Sequence, residues 1–180
     1  VALVVGRNNV AEFARSHTGA LATSWRTTRS VLAQAGAVVV DDEEQLISAV
    51  IGLSAGRIAA TAHPGVALIT GQAGPGLLIA DELASRKVEL PTLSEPTRRR
   101  LGELLPPLTY QANPVDTGRP GQSFPEVIAA VSDDDSADVV GVYGLTEPVL
   151  DMVGSVQQAR ALQHGRTPVL IAMDGPADDI

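Results

Sequence analysis

The stretch GVALITGQAGPG, residues 65–76, decides the fold class of this chain. Its first half, which ends at Thr70, is an unbroken run of mostly apolar and β-branched residues, typical of a parallel strand that is covered on both faces. Its second half is a glycine-rich turn, Gly71–Gly76, that opens the amphipathic segment Pro75–Arg86. A buried strand, a glycine-rich turn and a helix in this order predict an α/β protein with a parallel sheet.

The same alternation of apolar runs and amphipathic segments continues on both sides of this stretch. Apolar runs predict strands at Val1–Val5, Ala37–Val40, Val66–Thr70, Val139–Tyr143 and Val169–Ala172, with weaker candidates at Leu90–Leu93 and Tyr110–Ala112. Helical spacing predicts helices at Thr18–Ala35, Asp42–Ser54, Pro75–Arg86, Glu95–Leu105, Phe124–Val131 and Pro148–Gln163. This spacing predicts a three-layer α/β/α architecture, in which helices cover both faces of parallel sheets.

A domain boundary is predicted near Arg57–Pro64, where a polar stretch of small residues separates two patterned regions. Residues 64–180 contain five candidate strands, enough for one complete doubly wound domain, whereas residues 1–60 contain two. Because two strands cannot cover a sheet by themselves, we interpret residues 1–60 as the C-terminal part of another domain. Such a part is expected to expose apolar surface and to favour association, including formation of a homo-oligomer.

Composition and charge exclude several classes of protein. The chain has 180 residues, no cysteine and a net charge of −8. The lack of cysteine excludes a disulfide scaffold, a cysteine-ligated metal and a thiol nucleophile, and the negative charge opposes nucleic-acid binding. No apolar run has the length of a membrane span and no signal peptide is recognised, so a soluble, cytoplasmic protein is expected. Aromatic residues make up 3% of the chain, which argues against an FMN site and against stacking on single-stranded nucleic acid.

Two apparent motifs are set aside. Gly52–Gly56 spells GxSxG, but a hydrolase nucleophile elbow needs its serine directly after a strand, and helical spacing precedes this serine. The three histidines, His17, His63 and His164, have no neighbouring carboxylate at metal-ligand spacing. No metal site is therefore predicted.

His17 stands apart from the other two histidines because of its neighbours. It lies in the small-residue segment Ser16–Ala22, directly before a predicted helix. Small neighbours leave an imidazole accessible, and an imidazole is largely neutral at pH 7, so a ring nitrogen is available as a nucleophile or base. The alternative is a histidine that only caps the helix, and the residues alone leave both interpretations open.

The turn Gly71–Gly76 is a candidate anion site. A glycine-rich turn between strand and helix exposes N–H groups at a helix N-terminus, where the helix dipole favours negative charge. The turn lacks the spacing of a dinucleotide fingerprint and the lysine of a Walker A loop. Glycines that serve packing alone are the alternative, which the residues also leave open.

The segment Asn113–Gly118 is the third candidate. It lies where a strand of the second domain is expected to end, and ligands in open α/β sheets bind outside the carboxyl ends of strands. Asn113 and Asp116 are therefore predicted to point toward the same edge as Gly71–Gly76. Asx residues beside proline and glycine are equally good turn formers, so a structural role is the alternative.

Taken together, these motifs resemble the ADP-forming (NDP-forming) acyl-CoA synthetases, the acetate–CoA ligases related to succinyl-CoA synthetase. The resemblance covers nearly the whole chain, although Asn8–Phe13 and Gln72 depart from the family pattern. The segments that carry it, in order, are Gly6-Arg7, Ser16–Ala22, Gln34–Gly36 leading to Val40-Asp41, Gly65–Gly76, Leu90-Pro91, Leu93-Ser94, Leu104–Pro106 and Ala112–Asp116.

The resemblance implies flavodoxin-like ligase domains. Residues 1–60 would be the C-terminal part of one such domain, with the histidine loop, and residues 64–180 a second one. It implies that phosphate cleaves an acyl-CoA to an acyl phosphate, that His17 takes the phosphoryl group and that ADP receives it. By the same resemblance, Gly71, Gln72, Ala73, Gly74 and Gly76 bind phosphate, and Ser16, Thr18, Gly19, Asn113 and Asp116 lie at the edge of the active site.

The resemblance also implies what this portion lacks. It would bind no cofactor of its own, since Mg-ATP or Mg-ADP and CoA are substrates of the full-length enzyme. CoA-binding and ATP-grasp domains are expected in the same chain or on a partner subunit, so the portion by itself is expected to be inactive.

Two other hypotheses stay open beside the ligase. One is a non-catalytic module that senses acyl-CoA in a multidomain protein such as a protein acetyltransferase. Such modules often lack the histidine, so the presence of His17 argues against this hypothesis. The other is a relative that transfers acyl or carbamoyl groups without depending on ADP.

Overall fold

The computed structural model describes residues 1–7, 24–56, 61, 63–146, 150–176 and 178. The chain divides into two compact units, Val1–Arg57 and Ile58–Ile180. In the part of the chain that is described, no helix is both long enough and apolar enough to cross a membrane.

The first unit contains a pair of parallel strands and two helices. Its elements are β1 (Ala2–Leu3), α1 (Trp25–Gln34), β2 (Val39–Val40) and α2 (Glu43–Ala55). Ala2 pairs with Val39 and Leu3 with Val40, so both strands end at the same edge. Helix α2 begins after Asp42, whose carboxylate accepts a hydrogen bond from the Gln45 N–H at 2.8 Å. A side-chain acceptor at this position satisfies one of the N–H groups that a helix start leaves without a partner.

The second unit contains a four-stranded parallel sheet in the order β4-β3-β5-β6. Its strands are β3 (Val66–Thr70), β4 (Val115–Asp116), β5 (Val139–Leu145) and β6 (Val169–Asp174), and its helices are α3 (Ala73–Ser85), α4 (Glu95–Leu104), α5 (Phe124–Ser132) and α6 (Met152–Leu162). Counted within this unit, the order is 2-1-3-4, as in flavodoxin-like sheets. The prediction of a parallel, flavodoxin-like α/β fold is confirmed.

The core of the second unit lies on one face of this sheet. Ala67 and Ile69 of β3 and Val140 and Val142 of β5 join buried side chains of the helices on that face. The helix residues of this cluster include Leu101, Val127, Ile128, Val131, Met152 and Ala159. Because side chains of a strand alternate between faces, Leu68 and Thr70 point to the opposite face, where Thr70 contacts the first turn of α3.

The weaker strand candidates were wrong. Neither Leu90–Leu93 nor Tyr110–Ala112 forms a strand; Glu89 and Gln111 each make one isolated bridge instead. On the side of β3 away from β5, the neighbouring strand is β4, at Val115–Asp116, in the segment that was expected to follow a strand. Its two residues were missed because Pro114 precedes them and Gly118 follows shortly after. Proline and glycine so close together are typical of a turn, and a strand of two residues has no alternation of its own to outweigh that pattern.

Candidate functional site

The candidate site in the second unit is the turn between β3 and α3, at the carboxyl edge of the sheet. Thr70, the last residue of β3, is 2% exposed and holds the turn. Its hydroxyl donates a hydrogen bond to the Gln72 carbonyl at 2.6 Å and accepts one from the Gln72 N–H at 3.1 Å. This buried hydroxyl therefore binds both polar groups of the Gln72 main chain at the entry to α3.

Close contacts explain two glycines of this turn. A Cβ atom on Gly71 would lie 2.9 Å from Pro120 Cγ, and one on Gly76 would lie 2.7 Å from Thr70 Cγ2. Both distances are shorter than real Cβ contacts allow, so a larger residue would displace the turn. By contrast, a Cβ atom on Gly74 would meet no heavy atom within 4 Å, and Gly74 is exposed.

The start of α3 presents N–H groups to solvent. Gln72 is the residue before the helix, and its side chain makes no capping hydrogen bond. Pro75 has no N–H, and the Gly76 N–H donates to the Gln72 carbonyl at 3.2 Å. Within the described residues, the N–H groups of Ala73 and Gly74 have no acceptor. Two adjacent donors at the positive end of a helix dipole form a surface that favours an anion.

The side chain of Gln72 adds a further polar group at the same place. Its Oε1 atom is buried and has no hydrogen-bond partner among the described residues. A buried amide oxygen without a partner is unusual, because an unsatisfied polar group costs about 1–3 kcal/mol. Oε1 only accepts hydrogen bonds, so an anion does not supply its missing donor, and the case for an anion at this turn rests on the main-chain N–H groups.

Asp116 ends β4 beside this turn. It pairs with Thr70 in the sheet, and its carboxylate accepts a hydrogen bond from the Gly118 N–H at 2.8 Å. The next residue, Thr117, binds the Thr70 carbonyl through its N–H at 2.9 Å and its hydroxyl at 3.2 Å. Asp116 thus lies at the predicted edge, and its carboxylate holds the loop that brings Pro120 against Gly71.

Asn113 does not lie at that edge, so this part of the prediction was wrong. Its side chain binds the middle of β3: Oδ1 accepts from the Leu68 N–H at 3.0 Å and Nδ2 donates to the Val66 carbonyl at 2.8 Å. Nδ2 also donates to the Pro91 carbonyl at 3.0 Å. The amide replaces the neighbouring strand where β4 has not yet begun. Both of its N–H donors are used in this role, and the side chain faces the middle of β3 rather than the edge.

The residues predicted around the histidine, Ser16, His17, Thr18 and Gly19, lie outside the described residues. The residues that flank this segment are described. Arg7 precedes it and Trp25 follows it, and the guanidinium carbon of Arg7 lies 5.5 Å from the centroid of the Trp25 indole. The predictions about His17 stay predictions.

The structure describes the GxSxG motif and two of the three histidines that were set aside. Gly52–Gly56 falls at the end of α2, where the Ser54 hydroxyl donates to the Ile51 carbonyl at 3.0 Å rather than standing on a turn after a strand. His63 and His164 are exposed, and His63 Nδ1 lies 3.6 Å from Glu89 Oε1. Among the described residues, no group of three His, Cys, Asp or Glu side chains could hold a metal ion.

Sequence reasoning missed Thr70, Thr117 and Pro120, which hold the turn in place. The hydroxyl of Thr70 carried a signal, because a threonine directly before a glycine-rich turn can bond to the main chain two residues later. The contact of Pro120 with Gly71 had no signal in the sequence, since these residues meet only through the pairing of β3 and β4.

Comparisons with known proteins agree with this architecture. Residues 1–53 match the succinyl-CoA ligase like flavodoxin domain family. The chain is 28% identical to the acetate–CoA ligase [ADP-forming] II subunit alpha of Pyrococcus furiosus, over 97% of this chain and 40% of that protein. It is 31% identical to the acetate–CoA ligase [ADP-forming] I of Archaeoglobus fulgidus, over 72% of this chain and 19% of that protein.

A solved structure has the same fold. The dinucleotide-forming acetyl-coenzyme A synthetase 1 of Ca. Korarchaeum cryptofilum, in complex with phosphate and ADP, superposes with a TM-score of 0.81 at 23% identity. The superposition covers 97% of this chain and 38% of that one. The chain therefore spans less than half the length of each of these relatives.

Proposed function

This chain belongs to the family of ADP-forming acyl-CoA synthetases, and on that premise we propose that it is the phosphoryl-shuttle portion of such an enzyme. The complete enzyme would interconvert acyl-CoA, ADP and phosphate with acid, CoA and ATP. The observation that carries the proposal is the start of α3, where Ala73 and Gly74 offer two N–H groups without an acceptor among the described residues.

The proposed chemistry begins with cleavage of the thioester. Inorganic phosphate attacks the thioester carbonyl, the CoA thiolate leaves and an acyl phosphate forms. A neutral ring nitrogen of His17 then attacks phosphorus, and the P–O bond to the acyl group breaks to release the carboxylate. The β-phosphate oxygen of ADP finally attacks the phosphohistidine, which gives ATP and returns the neutral imidazole.

The turn Gly71–Gly76 would stabilise the phosphoryl group while His17 carries it. Phosphorus bears three anionic or partly anionic oxygens in these steps, and preorganised N–H donors stabilise such charge without reorganisation. The main-chain donors of Ala73 and Gly74 are fixed by the hydrogen bonds between Thr70 and Gln72. Asp116 would act indirectly, by holding the loop that contacts Gly71.

The remaining machinery is proposed to lie in other parts of the enzyme. CoA-binding and ATP-grasp domains, in the same chain or on a partner subunit, would supply CoA and Mg-ATP, and the chain by itself would not turn over. Its relatives are more than twice as long as the part that they share with it, which leaves room for such domains.

Phosphorylation of His17 tests the proposal directly. The full-length protein is incubated with Mg-ATP, and its peptides are analysed by mass spectrometry under non-acidic conditions, because phosphohistidine is acid-labile. We expect phosphate on the peptide with His17, its loss on addition of ADP and its absence in His17→Ala. His164→Ala is the matched control, because His164 is an exposed histidine that should leave the phosphate in place.

Absence of phosphate on His17 would contradict the proposal. If the full-length protein binds ATP but His17 carries no phosphate, the phosphoryl-shuttle proposal fails. The sensing module would then be tested next, by acyl-CoA binding.

A further inference from the structure

We propose that Trp25 is a positioning residue for the segment that carries His17, because its indole joins the residues on both sides of that segment. The proposal rests on the proposed function and extends it to a residue outside the family motifs. Trp25 is the single tryptophan of the chain and the first residue of α1.

Two contacts link Trp25 to the chain before the segment. The indole Nε1–H donates a hydrogen bond to the Val4 carbonyl at 2.7 Å, just after β1 ends. The guanidinium carbon of Arg7 lies 5.5 Å from the indole centroid, within the range of a cation–π interaction. The described residues on the two sides of positions 8–23, among which His17 falls in the sequence, therefore meet at one place on the first unit.

A third contact holds the indole on the helix side. The guanidinium carbon of Arg29, one turn later in α1, lies 4.9 Å from the indole centroid. Arg29 also donates to the Val40 carbonyl at 3.0 Å and forms an ion pair with Asp41 at 2.9 Å. Arg29 thus fixes α1 to the end of β2, but Trp25 and Arg29 lie on the same side of residues 8–24 and do not join its ends.

The contact between Arg7 and Trp25 matters for the proposed reaction because it affects how the His17 imidazole reaches its reaction partners. Joining the ends of a chain segment reduces the volume that the middle of the segment can visit. A side chain in the middle then has a higher effective concentration near a reaction partner that lies within this volume. Phosphoryl transfer to and from a side chain depends strongly on such positioning. Loss of the contact between Arg7 and Trp25 should therefore slow phosphorylation of His17 without weakening the binding of ATP.

The matched variants are Arg7→Gln and Arg29→Gln in the full-length protein. Each removes one cation–π contact with the same indole. Arg29→Gln also removes the contacts with Val40 and Asp41, but only Arg7→Gln cuts the connection across the segment. Phosphate on His17 is followed in time by rapid quench and peptide mass spectrometry, over a range of Mg-ATP concentrations. Trp25→Phe and Arg7→Lys complete the series: Phe retains the ring but not the N–H donor, and Lys retains the stacked cation.

We expect Arg7→Gln and Trp25→Phe to lower the rate at saturating ATP about three- to fivefold, the most that a contact of about 1 kcal/mol can give, with an unchanged ATP concentration for half-maximal rate. Arg29→Gln should change the rate less than about twofold, and Arg7→Lys should recover most of it. Equal losses in Arg7→Gln and Arg29→Gln would show that the indole only stabilises the first unit, and wild-type rates in Arg7→Gln would also overturn the proposal.

Hydrogen exchange separates this proposal from the proposed function. In the same variants, peptides from residues 1–7 and 24–34 are compared with wild type. Both peptides should exchange faster in Arg7→Gln, and unchanged exchange in either would refute the joining of the two ends. This result does not depend on whether His17 takes phosphate, whereas a wild-type protein without phosphate on His17 would refute the proposed function alone.

Discussion

The hydroxyl of Thr70 and the main chain of Gln72 exchange two hydrogen bonds, at 2.6 and 3.1 Å, across the first step of the turn into α3. Thr70 is the last residue of the buried strand β3. Its hydroxyl makes these two hydrogen bonds, and its methyl group packs against Gly76. One residue thus sets both the direction of the turn and the distance between strand and helix.

Thr70→Val keeps the shape of this side chain and removes its hydroxyl. We expect a loss of about 1 kcal/mol in the free energy of unfolding, because the partly buried Gln72 N–H loses its acceptor. Phosphoryl transfer from His17 to ADP should also slow. Urea denaturation and the rate of dephosphorylation measure the two effects. Thr70→Ser, which retains the hydroxyl, should keep the transfer rate near that of wild type.

Ala73→Pro removes one N–H donor from the start of α3. Proline is well tolerated at the first position of a helix, and Gln72, at φ −139° and ψ 125°, already has the extended conformation that a following proline requires. We expect an unchanged thermal midpoint and a rate of phosphoryl transfer about 10- to 100-fold lower, as for the loss of one preorganised donor. Ala73→Ser retains the N–H and is the control; a normal rate in Ala73→Pro would exclude this donor from the mechanism.

Asn113→Asp tests whether this residue is structural. The variant keeps the oxygen that faces the Leu68 N–H but replaces the donors to the Val66 and Pro91 carbonyls by a second oxygen. Repulsion between carbonyl and carboxylate oxygens should lower the free energy of unfolding by about 2–4 kcal/mol. In the matched variant Asp116→Asn, the side-chain oxygen still accepts from the Gly118 N–H, and the loss should stay below about 1 kcal/mol. Similar losses in the two would contradict this assignment.

Asp134 is expected to make stability depend on acid pH. Burial tends to raise the pKa of its carboxyl, but hydrogen bonds from Ser136, Thr97 and Ser94 outweigh burial and hold the pKa well below its usual range. A carboxyl with a lowered pKa stabilises the fold above its unfolded pKa of about 3.9. This contribution is lost as the pH falls from that value toward the folded pKa.

Asp134→Asn should therefore flatten the acid side of the stability profile. Denaturation at pH 7 should show a loss of about 1–3 kcal/mol relative to wild type, since the donors around the site lose a charged acceptor. The difference between variant and wild type should shrink as the pH falls below about 4. A difference that is constant from pH 7 to pH 3 would show that the charge of Asp134 does not contribute.

Introducing glycine after α3 and removing it after α1 are expected to have opposite effects on the free energy of unfolding. Helix α1 is followed by Gly36 at φ +84° and α3 by Lys87 at φ +60°, and both ends have the same pair of main-chain hydrogen bonds. A left-handed residue with a side chain costs about 1 kcal/mol relative to glycine. Lys87→Gly should thus stabilise by about 0.5–1 kcal/mol, and Gly36→Ala should destabilise by about as much.

Thermal denaturation of both variants measures this pair of effects. A Cβ atom on Gly36 would meet no heavy atom within 4 Å, so a loss in Gly36→Ala would report conformation rather than crowding. Destabilisation by Lys87→Gly would contradict the argument.

The fold could be predicted largely from local patterns. Val66–Thr70 was predicted with the bounds that the structure shows, because an unbroken apolar run next to a glycine-rich turn specifies a buried parallel strand within a few residues. Strand β1 and strand β2 are shorter than predicted, since only the residues that pair with a neighbour count as strand. Strand β4 was missed, because its two residues are defined by their partners Ile69 and Thr70 and not by their own sequence.

The candidate site could be predicted only in part. The glycine-rich turn was recognisable because its donors, its glycines and its helix lie within a few residues of each other. Asn113 was assigned to the wrong place, because an Asx residue beside proline fits both a turn and a ligand site. Its actual partners, Val66 and Pro91, lie 47 and 22 residues away in the chain.

The sequence by itself determined the parallel α/β class, the order of strands β3, β5 and β6 among the helices of the second unit, and the position of the turn Gly71–Gly76. These features depend on side-chain periodicity and on residues that are close in the chain. Only the tertiary structure decided that Thr70 and Pro120 hold this turn, that Asn113 serves β3 and that Trp25 meets both Val4 and Arg7. The physical reason is that hydrogen bonds and close contacts depend on distance in space, which strand pairing and helix packing set.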